Sequence, residues 1–146
     1  MQGDRFPDAK AAGVVLWNND GFLVGLQKGK LSEPRGKKRQ GESAIACAKR
    51  ELNEETGLDP DRLNIRWNQP SYIPDCKYVF FQGEIGNEQP WHITTFSEYK
   101  FVRANALPAS SSFRLQRVAH FLRQAQERRR ESNMDAVEQM LRRGGL

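Results

Sequence analysis

Three glutamates, Glu51, Glu54 and Glu55, fall at positions i, i+3 and i+4 of a segment, residues 44–56, that contains neither glycine nor proline. On a helix this spacing puts all three carboxylates on one face within about one turn. Like charges so placed repel, and a helix gains little from them. Two arrangements relieve the repulsion. Neighbouring Lys49 and Arg50 can make the cluster an ordinary solvated acidic face, or a divalent cation can sit between the carboxylates and activate water. Hard cations such as Mg²⁺ take oxygen ligands and retain several waters, which suits carboxylates better than a soft or imidazole-rich site. Cys47 shares this face one turn earlier, but a lone thiol is a poor Mg²⁺ ligand and reads as a small packing residue.

The elements that must hold these carboxylates can be read around them. Ser43 is placed to cap the helix over residues 44–56, because its hydroxyl can accept from an unpaired backbone N–H. Gly57 supplies a left-handed residue after the last turn and Pro60 prevents resumption. Ile45, Ala48 and Leu52 form an apolar stripe at spacings of three and four, which predicts packing against a sheet. Residues 11–27 read as a β-hairpin, with apolar runs Val14–Trp17 and Phe22–Leu26 around the turn-forming Asn18-Asn19-Asp20-Gly21. Residues 28–40 are polar and broken by Gly29, Pro34 and Gly36, which predicts a basic loop. Further strands are expected over 63–67, 77–85 and 98–102, with Pro70, Pro74 and Pro90 in the loops between. A second helix is expected from Ser112, with Leu115, Val118, Ala119 and Leu122 on one face. Met134, Val137 and Leu141 then suggest a short amphipathic coda. Helices and strands mixed in this way predict helices on a mixed sheet.

The residues around the carboxylates carry a longer pattern. Gly36, then Glu42, then Arg50-Glu51-Leu52-Asn53-Glu54-Glu55-Thr56-Gly57-Leu58 together resemble a complete Nudix box over residues 36–58. Pro34-Arg35-Gly36-Lys37 is similar to the family's approach to the box, and Gly41-Glu42-Ser43 matches its entry to the helix. The resemblance covers roughly residues 10–125. It implies an α/β/α sandwich with a mixed central sheet, formed by residues 1–125 and followed by an arginine-rich helical tail over 126–146. It also implies a Mg²⁺-dependent (or Mn²⁺-dependent) hydrolase that cuts a diphosphate linkage in a nucleotide-like substrate. Carried over by position, Glu51, Glu54 and Glu55 are the expected metal ligands, joined by the Gly36 carbonyl. Arg50 would orient the carboxylates against Glu42. Glu54, Glu55 and Arg50 would act in catalysis together with a downstream acid, for which Glu98 is the choice over Glu84 and Glu88. Arg35, Lys37, Lys38 and Arg39 would lie beside the metals and hold further phosphates. Arg35 replaces a glycine common in the family, and Lys38-Arg39 replaces a pair that is often apolar then acidic. These departures touch the loop and leave the helix ligands intact.

Composition sets the remaining bounds. The chain has 146 residues, of which 38% are hydrophobic and 28% charged, enough for one domain with a proper core. No run approaches the length of a membrane span, and the polar residues 1–9 lack the apolar core of a secretory signal, so cytoplasmic residence is expected and a membrane partner is not. Cys47 and Cys76 have no metal or redox spacing and are expected as free thiols. The net charge of +5 is modest and compatible with an anionic substrate. A small nucleotide, such as an NTP or damaged dNTP, is the first expected partner. RNA 5′ ends, diadenosine polyphosphates and ADP-ribose are the alternatives, and a homodimer is the further possibility for the tail. Tyr72 and Pro74 point to different members of that list and do not separate them. A purely binding role is disfavoured by the full set of box glutamates. Trp17, Trp67, Trp91 and Tyr72 are expected mainly as packing residues, His120 as solvent-exposed, and His92 as a loop residue of at most minor catalytic interest. The Arg128-Arg129-Arg130 run is expected as a solvated helix face, with RNA contact as its sharper reading.

Overall fold

A computed structural model of the chain describes residues 4–91 and 95–144. His92 lies outside them. The expected hairpin forms β1 (Ala11–Asn18) and β2 (Gly21–Gln27), paired antiparallel with Trp17 opposite Phe22 and Asn18 opposite Gly21. Next come β3 (Lys30–Ser32), β4 (Arg35–Lys37), α1 (Ala44–Thr56) and β5 (Asn64–Ile65). Then follow β6 (Ser71–Ile73), β7 (Tyr78–Glu84), β8 (Glu98–Val102) and α2 (Phe113–Gly144). The sheet runs β3-β2-β1-β7-β5, with β4 added to β1, β6 to β7 and β8 to β2. β1 and β7 are parallel and the other pairs antiparallel, so the mixed sheet expected from the sequence is present.

The apolar run in β1 is explained by burial on both faces. Val14 and Leu16 point to one side, where Ala48 and Leu52 of α1 pack with Leu23, Val79 and Phe81. Val15 points to the other, where Leu115, Val118 and Leu122 of α2 pack with Phe22, Val24 and Phe80. The sheet is therefore the middle layer of a sandwich, and α1 is clamped against it by its apolar stripe. Among the described residues no helix is long and apolar enough to cross a membrane.

Three local expectations are corrected. Residues 28–40 are not one loop: β3 and β4 lie within them, recruited by backbone pairing to β2 and β1. Residues 71–73, flanked by two prolines, form an edge strand on β7, a position that tolerates proline because one side of the strand needs no donor. The apolar positions beyond residue 126 belong to no separate coda. A single helix continues through Gly144, and Met134, Val137, Met140 and Leu141 lie exposed on its outer half.

The ends of α1 match their punctuation. Ser43 Oγ accepts from the Ala46 N–H, and Gly57 takes φ +76° while donating to the Asn53 carbonyl. A Cβ at Gly57 would also run into the Trp91 indole. Gly57→Ala is expected to destabilise the fold by about 1–2 kcal/mol, since a non-glycine residue pays for that backbone conformation. A denaturant midpoint unchanged from wild type would contradict this.

Candidate functional site

The strand register decides what faces the acidic turn of α1. In β4, Gly36 lies opposite Ala12, a residue of the core on the α1 side, whereas Arg35 and Lys37 pair with Gly13 and Ala11. Successive strand residues point to opposite faces, so Gly36 is turned toward α1 and the side chains of Arg35 and Lys37 away from it. Glu51 fills the space this leaves: a Cβ built on Gly36 would overlap the Glu51 carboxylate. Only glycine permits that approach.

Arg50 organises the rest. Its Nε and Nη2 donate to the two carboxylate oxygens of Glu42 at 2.7 and 2.9 Å. Its Nη1 donates to Glu51 Oε1 at 2.7 Å and to Glu54 Oε2 at 3.2 Å, and Nη2 also reaches the Lys37 carbonyl at 3.1 Å. One guanidinium thus ties the entry loop, β4 and two of the three helix carboxylates together, which a planar fork of five donors does and an ammonium cannot. Glu42 and Arg50 are mostly shielded, with side chains 13% and 17% exposed. The Arg50 hydrogen bonds hold the Glu42 carboxyl down to about 2, and the same pairing raises the Arg50 pKa.

Glu55 is the buried member, with 6% of its surface exposed. Burial, reinforced by a hydrogen bond and the charge of Glu51, pushes its pKa up to about 9, against a smaller opposing pull from the Arg35 N–H, which donates to Oε2 at 3.2 Å. Tyr99 of β8 donates its hydroxyl to the Glu55 backbone carbonyl. Cys47 Sγ donates to the Gly36 carbonyl at 3.5 Å, and burial raises its thiol to about 12, so it packs as a small inert side chain.

Among the described residues, no three Asp, Glu, His or Cys side chains close around one point as a ready cation cage, because Arg50 engages Glu51 and Glu54. The donor set nevertheless fits a hard divalent ion: three carboxylates and the Gly36 carbonyl are all oxygen, and the cradle at Gly36 brings one carboxylate directly against that backbone.

The structure gathers Gly36, Arg50, Glu51, Glu54 and Glu55, together with Glu42. It does not bring Glu98 to them. Glu98 pairs with Leu26, which packs on the α2 side, while Tyr99 packs on the α1 side, so the exposed Glu98 side chain leaves the opposite face of β8. The basic loop is also dispersed. Lys38 turns to Asp4, 2.6 Å from its carboxylate, and to the Phe6 carbonyl. Arg35 Nε donates to Ser32 Oγ at 2.8 Å and lies 3.7 Å from Glu33. Only Arg39 stays close, 3.7 Å from Glu54 Oε1. Trp17 bonds Gln82, Trp67 packs on Phe81, Tyr72 stacks on Phe6, and His120 is exposed, all as packing and solvent expectations require. Two residues near the site gave no sequence signal. Glu33, with no side-chain exposure, accepts from Tyr78 at 2.7 Å beneath the strand that carries Arg35. Asp4 neutralises Lys38 from 34 positions away.

The chain resembles known proteins in sequence and in fold. A NUDIX domain family model matches residues 7–124. The chain is 27% identical over 128 residues to an RNA pyrophosphohydrolase of Erythrobacter litoralis, covering 68% of this chain and 78% of that one. Among solved structures, a nudix hydrolase family member from Chromobacterium violaceum superposes with a TM-score of 0.64 at 20% identity, over 93% of this chain and 92% of the other. A C. elegans Ap4A hydrolase superposes with a TM-score of 0.61 at 19% identity, over 77% and 98%.

Proposed function

The chain belongs to the NUDIX family of pyrophosphohydrolases, and from that premise we propose that it hydrolyses the diphosphate linkage of a nucleoside polyphosphate at the carboxylate turn of α1. The observation that carries this reading is the Arg50 network, which draws Glu42, Glu51 and Glu54 together beside Gly36. Such a network gathers three carboxylates around one guanidinium and makes sense as a device for aiming them.

Glu51, Glu54, Glu55 and the Gly36 carbonyl would hold Mg²⁺ or Mn²⁺, which when bound supplies charge neutralisation for the phosphates and a more acidic water. The protein's own part is positioning and electrostatics, as phosphoryl transfer asks little covalent work of it. Glu42 fixes Arg50, and Arg50 fixes the directions of Glu51 and Glu54. Glu54, the most exposed of the three with 48% of its side chain accessible, would take the proton of the attacking water. Arg39 stands next to Glu54 and offers a positive charge to a phosphate oxygen.

A free NTP or damaged dNTP is the first substrate class. The second reading, a 5′-phosphorylated RNA end, is favoured by the likeness to an RNA pyrophosphohydrolase. One screen tests both: NTPs, dNTPs, dinucleoside polyphosphates, ADP-ribose and 5′-triphosphorylated RNA, each with Mg²⁺ or Mn²⁺, with products weighed after reaction in ¹⁸O water. Heavy oxygen in a phosphate product identifies the phosphorus attacked. No turnover of any substrate with either ion would overturn the hydrolase reading.

A further inference from the structure

Among the described residues, Glu33 is the most deeply buried charged side chain, and it has no part in the hydrolysis proposed above. Its partner Tyr78 opens β7 in the core on the α2 side of the sheet. There the Tyr78 ring stacks 6.0 Å from that of Phe80 and lies under the Arg114 guanidinium at 5.5 Å. From this anchorage the Tyr78 hydroxyl reaches over β1 and donates to Glu33 Oε2 at 2.7 Å. Gly13 of β1 leaves the opening, since a Cβ there would overlap the Tyr78 hydroxyl and the Pro34 carbonyl. Burial, and then the charge of Glu33, raises the Tyr78 pKa well above that of an exposed tyrosine, so the hydroxyl keeps its proton and donates. On the other side of the carboxylate, Ser32 Oγ donates to Glu33 Oε1 at 3.2 Å and accepts from Arg35 Nε at 2.8 Å. A chain of hydrogen bonds therefore joins the core to β4. That strand has three residues and pairs only with β1, yet its backbone meets the carboxylate turn. The Arg35 N–H donates to Glu55 Oε2 at 3.2 Å, and the next residue is Gly36. Taking a carboxylate out of water is costly even when it is hydrogen-bonded, and an apolar pair of the same shape is often as stable or more so. What the polar pair supplies instead is one fixed arrangement.

We infer that Glu33 and Tyr78 are positioning residues, which fix β4 to the core from the face opposite α1 and so hold the Arg35 N–H and the Gly36 carbonyl in place beside the carboxylate turn. The inference rests on the hydrolase reading and adds to it two residues that touch neither the box carboxylates nor the substrate. Their effect reaches the cation through the backbone of β4.

The test is Mn²⁺ binding to the full chain, read by electron paramagnetic resonance, beside urea unfolding and kinetics on a substrate found in the screen above. Glu33→Leu combined with Tyr78→Phe replaces the polar pair by apolar groups of similar size, so the urea midpoint is expected at or above that of wild type. Mn²⁺ affinity is nonetheless expected to fall by roughly 10- to 100-fold, as it does when groups that orient metal ligands are lost. In the same variant kcat should drop while KM for the substrate stays close to wild type, because neither side chain reaches it. Glu33→Gln still accepts from Tyr78 and should recover most of the lost affinity. Tyr78→Phe alone removes a single oxygen and leaves Glu33 short of a donor; it should lower both the urea midpoint and the Mn²⁺ affinity. Wild-type Mn²⁺ affinity in the double variant, or in Tyr78→Phe should the double variant not fold, would overturn the positioning role and leave the hydrolase reading intact. Weakened Mn²⁺ binding in these variants, with no substrate turned over by wild type, would sink the hydrolase reading and keep the positioning role. A wild-type chain that binds no Mn²⁺ would end both.

Discussion

Replacing Glu55 with Gln is expected to reduce turnover by roughly 10² to 10⁴ while making the metal-free protein more stable at neutral and alkaline pH, and the opposite signs have one cause. Glu55 is buried, and burial beside Glu51 pushes its pKa up to about 9. In the unfolded chain the same group ionises near pH 4.5. A group raised in the folded state contributes stability that is full below the unfolded value and is lost as pH rises toward the folded one. Metal-free wild type should therefore weaken steadily between about pH 4.5 and 9. Gln has no proton to lose, still accepts from the Arg35 N–H, and can donate to Glu51 as the protonated acid does. Its stability should be flat across the same window. Saturating Mg²⁺ reverses the order, because a ligand that binds only the folded state stabilises in proportion to its affinity, and the neutral amide holds a cation less well. Urea unfolding at several pH values, with EDTA and with Mg²⁺, reads all of this. A wild-type protein whose metal-free stability does not fall from pH 5 to pH 9 would contradict the burial argument, and a Glu55→Gln enzyme at wild-type rate would remove Glu55 from the site.

The local parts of this site were legible in the sequence because short-range rules govern them. Ser43 and Gly57 bound α1 through backbone capping within one turn, and the i, i+3, i+4 spacing alone put Glu51, Glu54 and Glu55 on one face. What was not legible depends on distant partners. β3 and β4 are three-residue strands whose one apolar side chain is Leu31; they are too short to show an alternation of their own and are held by β2 and β1. Gly36 faces α1 because it lies opposite Ala12, and Glu98 faces away because it lies opposite Leu26. A shift of one residue in either register would exchange those roles, and nothing adjacent in the chain specifies it. The basic run at 35–39 looked like one patch because its charges are contiguous. Strand alternation and the remote Asp4 and Glu33 scatter it over two faces. Glu33 beside Pro34 reads as a surface glutamate, and its burial follows from Tyr78, 45 positions away.

The same logic makes Arg50 the most exposed point of the design to a conservative change. Arg50→Lys keeps the charge but loses the fork: an ammonium cannot span both oxygens of Glu42 and still reach Glu51, Glu54 and the Lys37 carbonyl. Orienting partners of metal ligands typically cost 10- to 100-fold when removed, and that loss is expected in kcat/KM for both Arg50→Lys and Arg50→Ala. Stability should separate the two. Arg50→Ala leaves Glu42 shielded without its partner and is expected to cost about 2–4 kcal/mol at pH 7, whereas Lys recovers part of the charge pairing. The pH profile supplies a check that a merely structural role would not pass. Glu42 is held down to about 2 by Arg50. A group depressed in the folded state contributes stability that is present above its unfolded value, near 4.5, and is lost as pH falls toward the folded one. Wild type should therefore lose this contribution between about pH 5 and pH 2, and Arg50→Ala should lack it. Equal acid sensitivity in the two proteins would show that Glu42 does not depend on Arg50. An Arg50→Lys enzyme with full activity would show that the carboxylates of α1 need no fork to aim them.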